Sequence, residues 1–97
     1  MPTYLIQSQW TDQGIRNVKE SAKRLDMGKK KLKEMGGEIK AVYLTTGAYD
    51  MLAVAEVPSD ATMAAYVLWL GAQGNLRTQT VKAFTEDEYR TIISQLA

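Results

Sequence analysis

The sequence predicts an α+β domain of four strands and two main helices in the order β-α-β-β-α-β, followed by a short terminal helix. Three observations carry this. Thr3 to Trp10 alternates, with Tyr4, Ile6, Ser8 and Trp10 on one face and Leu5, Gln7 and Gln9 on the other, as a strand requires. Apolar residues recur at three- and four-residue spacing in two later segments, as a helix requires. Gly36-Gly37, Thr46-Gly47, Pro58 and Gly74-Asn75 punctuate the segments between. The chain has 97 residues, enough for one core, so the predicted unit is a single domain over residues 1–97.

After the first strand, Thr11-Asp12 supplies a helix N-cap, and Ile15, Val18, Ala22, Leu25, Leu32 and Met35 follow as an apolar stripe. One unbroken helix over this stretch would be about 36 Å long at 1.5 Å per residue. That is too long for a domain whose radius of gyration should be roughly 13 Å. A break is therefore expected near Glu20-Ser21, with Ser21 capping a second helix that runs to Met35. Glu38 to Thr45 and Asp50 to Val57 read as a hairpin pair, with Gly47 free to take positive φ in the turn. Ser59 or Asp60 caps a helix from Ala61 to about Ala72, which is apolar almost all round. Leu76 to Phe84 is the fourth strand. Thr85-Glu86-Asp87-Glu88 reads as a capping box, with Phe84 and Tyr89 at the staple positions. Tyr89, Ile92, Ile93 and Leu96 then mark a short amphipathic helix. This order is the ferredoxin-like pattern, an antiparallel four-stranded sheet with both main helices on one face.

Composition removes several function classes. The chain has neither cysteine nor histidine, which excludes disulfides and thiolate sites and leaves a zinc site without its ordinary ligands. No metal and no cofactor are expected. The formal net charge is +1, which argues against nucleic acid. The lysines at 29, 30, 31 and 33 spread around their helix beside Asp26 and Glu34 and read as a solvated face. Met63 to Leu70 is far too short to cross a bilayer. The N-terminus lacks the pattern of a signal peptide, so a cytoplasmic protein is expected.

An open sheet face should be polar at every second position. Here Met51, Ala53, Ala55 and Val57 form one row of the third strand, while Leu52 and Val54 lie in the other. On strand two, Ile39, Ala41 and Tyr43 fall on one side and Val42 and Leu44 on the other. Both faces therefore need cover. A second copy packed sheet to sheet, about 10 Å away, provides it; the alternative is a monomer whose terminal helix folds across the open face.

The most distinctive string is Tyr43-Leu44-Thr45-Thr46-Gly47-Ala48-Tyr49-Asp50. Together with Trp10-Thr11-Asp12-Gln13-Gly14, Lys23-Arg24-Leu25-Asp26, Gly74-Asn75-Leu76-Arg77-Thr78 and Ala83-Phe84-Thr85-Glu86, it resembles the GYD-domain family. These are small bacterial and archaeal proteins named for a Gly-x-Tyr-Asp signature, here Gly47-Ala48-Tyr49-Asp50. The resemblance spans nearly the whole chain. It implies a dimeric α/β barrel, in which two ferredoxin-like sheets face each other, and it implies no assigned activity. A weaker similarity, to the effector domains of feast/famine (Lrp/AsnC-type) regulators, rests on the same element order and the same turn. It implies that Gly47, Tyr49 and Asp50 border a small-molecule site between subunits. The chain has no helix-turn-helix and so cannot be a complete regulator of that kind.

The expected function is a homo-oligomeric module that binds a small molecule at or near the dimer interface, its main partner being itself. Candidate ligand-binding residues are Trp10, Tyr43, Gly47, Tyr49, Asp50 and Arg77. Trp10 and Tyr43, if on one open face, would line the barrel cavity; ordinary core is the competing reading. Arg77 is suited to hold a carboxylate or phosphate, or else is a rim arginine. The turn residues have a purely structural alternative, with Asp50 accepting backbone N–H bonds. An alternative function is a cofactor-independent enzyme, monooxygenase- or isomerase-like by analogy of fold, with Asp50 as base and Tyr49 as acid.

Overall fold

Tyr4, Ile6 and Ser8 are buried and their neighbours along the strand are not, so the alternation at the start of the chain is that of a strand with one covered face. The computed structural model describes residues 1–96; Ala97, the last residue of the predicted unit, lies outside them. The elements are β1 (Thr3–Trp10), α1 (Asp12–Arg16), α2 (Ser21–Glu34), β2 (Glu38–Leu44), β3 (Met51–Glu56), α3 (Asp60–Ala72), β4 (Leu76–Ala83) and α4 (Glu86–Ser94). The sheet runs β2-β3-β1-β4 with every pair antiparallel, the ferredoxin-like arrangement.

The core lies between the sheet and the two main helices. Tyr4, Ile6, Ala55 and Val57 meet Leu32 of α2 and Met63 and Tyr66 of α3. Gly28 sits in the middle of α2, where glycine is unfavourable, and the packing explains it. The Tyr66 hydroxyl donates to the Gly28 carbonyl at 2.9 Å, and a Cβ there would stand 3.1 Å from that hydroxyl. Burial pushes the Tyr66 phenol up to about 12.

Three expectations about elements need correction. The long helical stretch does break before a second helix that begins at Ser21, but α1 ends at Arg16 and a 3₁₀ turn over Val18–Glu20 leads into α2, so the break opens at Asn17 and Ser21 is not the cap. Ser21 is the first residue of α2, and Glu20 stands at the cap with no side-chain hydrogen bond. Ile15, expected in the apolar stripe, is 49% exposed because α1 turns away before it can join α2's buried face. On β2 the alternation slips. A bulge between Ile39 and Ala41 inserts Lys40, so Ile39 shares its face with Val42 and Leu44, while Ala41 and Tyr43 take the other. The bulge also brings the Lys40 ammonium within 3.6 Å of Glu38 and 3.8 Å of Glu56, two carboxylates that the register sets directly opposite each other.

The face away from the helices carries Leu5 and Gln7 of β1, Leu52 and Val54 of β3, Ala41 and Tyr43 of β2, and Arg77, Gln79 and Val81 of β4. No helix covers it. The terminal helix α4 has the expected capping box: the Thr85 hydroxyl accepts from the Glu88 backbone N–H at 3.2 Å, and the Glu88 carboxylate accepts from the Thr85 N–H at 2.8 Å. Those hydrogen bonds, first the one from the Thr85 backbone, hold the Glu88 carboxyl below its ordinary range. Yet every residue of α4 is exposed, and its apolar stripe of Tyr89, Ile92, Ile93 and Leu96 has no cover. The helix stands off the body, which makes the molecule 52 Å long and only 17 Å thick. The alternative in which α4 closes the open face is not the one adopted.

Candidate functional site

Residues from three distant stretches meet at the end of the sheet where β1 finishes. β3 begins at Met51, opposite Ser8, so β1 runs on past its neighbour toward Trp10. The β2–β3 turn fills that gap. The Thr45 N–H donates to the Asp50 carbonyl at 2.8 Å and closes the hairpin, and the Asp50 N–H donates to the Ser8 carbonyl at 2.9 Å. The Asp50 carboxylate then accepts the Trp10 backbone N–H at 2.9 Å, taking the place of the missing strand carbonyl. The Gln9 side chain donates to the Ala48 carbonyl at 2.6 Å, and the Thr45 hydroxyl donates to the Tyr49 carbonyl. The whole turn is tied down onto β1.

From the other side, α1 is bound to the loop that leads into β4. The Thr11 N–H donates to the Asn75 carbonyl at 3.1 Å, and the Thr11 hydroxyl both donates to the Gly74 carbonyl at 2.5 Å and caps α1 by accepting from the Gly14 N–H at 3.1 Å. Gln13 donates to the Asn75 side chain at 3.0 Å and, at 3.2 Å, to the Gln73 carbonyl. Gly14 is required by this approach, since a Cβ there would lie 2.1 Å from the Asn75 carbonyl oxygen. Gly74 takes φ +82°, the left-handed conformation that ends α3.

Between the two sides lies a hollow of about 540 Å³, lined by Trp10, Asp12, Gln13, Asp50, Gly74 and Arg77 among others. Its volume is in the range of small-ligand pockets. Its wall is polar, with one guanidinium and two carboxylates. Among the described residues Arg77 forms no ion pair with either carboxylate, and it stands on the open side of the sheet, opposite Gln9.

Of the six residues expected at a site, Trp10, Asp50 and Arg77 share this hollow. Tyr49 is placed elsewhere: its hydroxyl donates to the Gln79 side chain, on the open face and opposite Gln7 of β1. Asp50 and Tyr49 are thus engaged at different levels of β1, one at Trp10 and the other at Gln7. The pairing of Trp10 with Tyr43 on one face is corrected. Trp10 continues the helix-side row of Tyr4, Ile6 and Ser8, whereas the bulge at Lys40 sends Tyr43 to the open face, where it is 58% exposed. Gly47 does not take positive φ, and a Cβ on it would meet nothing within 4 Å. Asp12 and Gly74 were expected as parts of a helix cap and a helix stop rather than as ligand-binding residues, and Gln13 was not singled out. The signal for them was present, because their strings carry the family resemblance.

Two negative observations complete the geometry. Among the described residues there is no cluster of three or more acidic side chains able to hold a metal ion. No helix among them is long and apolar enough to cross a membrane.

Comparison with known proteins agrees with the string-by-string resemblance. A relative from Thermus thermophilus, named "Glutamine synthetase and cystathionine beta-lyase binding protein", is 31% identical over 84 residues, which are 86% of this chain and 88% of that protein. None of the solved structures matches the chain significantly. The family model described as "GYD domain" matches residues 4–93, from the first buried tyrosine of β1 almost to the end of α4, and the chain therefore belongs to the GYD-domain family.

Proposed function

We propose that this chain is a homo-oligomeric docking module, in which copies join through their open sheet faces and the assembly binds other proteins. The observation that carries the reading is apolar surface on opposite sides of a two-layer domain. On one side lie Leu5, Leu52, Val54 and Tyr43 of the sheet. On the other, α3 has no charged residue after Asp60, and its outward surface is Ala61, Ala64, Ala65, Ala72 and Leu68, the last 73% exposed. A helix facing only water would carry charges there.

Magnitudes support two kinds of contact. Four strands of about seven residues present roughly 450 Å², from their spacing and rise. A stable interface needs roughly 800 Å² per partner. The sheet alone falls short, and the stripe on α4 makes up the difference if it lies along the second copy. This arrangement leaves the apolar surface of α3 free. The Thermus relative is named for binding glutamine synthetase and cystathionine beta-lyase, and those two enzymes are the partner class we carry to this chain.

The test is direct. Purified chain is titrated against each enzyme by biolayer interferometry, with Leu68→Asp as the variant and light scattering on both proteins. The reading expects binding by the unmodified chain, at least ten-fold weaker binding by the variant, and equal mass for the two. An unmodified chain that binds neither enzyme at tens of micromolar, or a variant that binds as well as it does, overturns it.

The hollow supports a second reading, binding of a small molecule at the rim of the interface. Arg77, without an ion-pair partner among the described residues and beside Trp10 and Asp50, suits a compact zwitterion bearing a carboxylate and an amine. A thermal-shift series with amino acids tests this: stabilisation lost in Arg77→Gln supports it, and no stabilisation by any of them sinks it.

A further inference from the structure

A second cavity lies on the opposite side of the sheet from the interface, between β1–β3 and the two main helices. It has a volume of about 80 Å³. At the roughly 30 Å³ that a water-sized group occupies in a liquid, this is room for about two or three such groups. Most of its wall is hydrocarbon, with Leu25 of α2, Leu70 of α3, Val42 of β2 and Ala53 of β3 facing one another. Water has few partners there, so an apolar occupant is favoured over solvent.

Its polar groups gather at one end, where α1, α2 and the α3–β4 loop meet. Arg24 lines that end, half-buried, and is held by the backbone: it donates to the Asn17 carbonyl at 2.9 Å and to the Gly14 carbonyl at 3.4 Å. Those bonds use two of the five N–H groups of a guanidinium. Among the described residues Arg24 has no carboxylate partner. Ser8 also lines the cavity, and it is the one buried polar residue of the core at 7% exposure. Its hydroxyl is in no hydrogen bond within the described residues. A fixed cation at one end of a hydrocarbon slot, with an unused hydroxyl in its wall, is the complement of an anionic head on a short apolar tail.

We infer that this cavity binds a small monocarboxylate with an apolar chain of about three carbons, its head on Arg24 and its tail between Leu25, Leu70 and Ala53. A cationic head is repelled by the same guanidinium, and a neutral one forgoes the charge-assisted bond. The site is separate from the polar hollow near Arg77, although Trp10 forms part of both walls.

Butanoate is the probe, titrated into the full-length ¹⁵N-labelled chain while the two tryptophan indole resonances are followed. Trp10 lines the cavity and Trp69 does not, so the expected result is a saturable shift of Trp10 alone. Arg24→Gln should weaken butanoate by about ten-fold, and butylamine should bind at least about ten-fold less well than butanoate. Ala53→Leu fills the slot and should abolish binding; if that variant does not fold, Arg24→Gln decides. No saturable shift with millimolar butanoate, equal affinity for butylamine, or undiminished binding by Arg24→Gln each overturns the inference.

Discussion

Asp50 shows how one side chain completes a sheet. β3 starts too late to pair with Trp10, and the carboxylate accepts the N–H that would otherwise point at nothing. Hydrogen bonds to charged groups are worth about 1.5–3 kcal/mol, and a part-buried donor left alone costs a similar amount. Asp50→Ala should therefore lower stability by about 2 kcal/mol, or roughly 10 °C in Tm for a domain of this size. Calorimetry checks this, and a change below 2 °C contradicts it. Asp50→Asn retains an acceptor and should lose less. Gly14 works by subtraction instead: its missing Cβ lets α1 close on the backbone of Asn75. Tyr4 is the exception, a hydroxyl buried without a partner among the described residues.

At the scale of elements, caps and periods were legible and slips were not. Thr11, Ser59 and the Thr85–Glu88 box stand where the sequence placed them, because a cap is a local bargain among four residues. The bulge at Lys40 had no such local signal. It answers a cross-strand problem, two glutamates brought face to face, and register is invisible in one strand read alone. The break before Ser21 was legible from helix length, but its opening at Asn17 was not, since α1 is aimed by the Asn75 loop more than sixty residues away. Gly47 looked like a turn glycine by type, yet the hairpin is held by side chains and backbone anchored on β1 rather than by a left-handed residue. The candidate site was half legible: Asp50 and Arg77 announced themselves by charge, while Tyr43 was misplaced by the slip. The link between α2 and α3 makes a pH prediction. Tyr66 has its phenol raised to about 12, above the ordinary value of about 10. Between those values the unfolded chain gives up this proton and the folded one keeps it, so stability is whole below pH 10 and falls as pH rises to 12. Urea titrations over that window should show Tyr66 costing about 1–2 kcal/mol more than is lost in Tyr66→Phe. Parallel curves for the two proteins count against it.

At the scale of the molecule, shape is the informative quantity. A chain of this length packed as a sphere would have a radius of gyration of roughly 13 Å; this one has 14.5 Å. The excess is α4, held out with its apolar stripe bare. Under the proposed assembly, Val54→Asp puts a charge in the middle of the sheet-to-sheet contact, where no counter-charge from the same strand is near. Light scattering should then find twice the chain mass for the unmodified protein and a single mass for the variant, with unchanged circular dichroism. An unmodified chain that runs at single mass at micromolar concentration removes the assembly.

The kink at Lys40 also decides how far copies can accumulate. A sheet has two raw margins, here β2 and β4, and a flat margin on each would let one molecule hydrogen-bond to the next without end. β4 is long and regular, but β2 offers an uneven rail carrying Glu38 and the Lys40 that also reaches Glu56 of β3, so head-to-tail ribbons find no mate. Deleting Lys40 restores perfect alternation while leaving Ile39 inward, and it should turn a well-behaved solution into one that scatters light and binds thioflavin within hours. Growth that stops at a finite size is, on this view, the work of one surplus lysine.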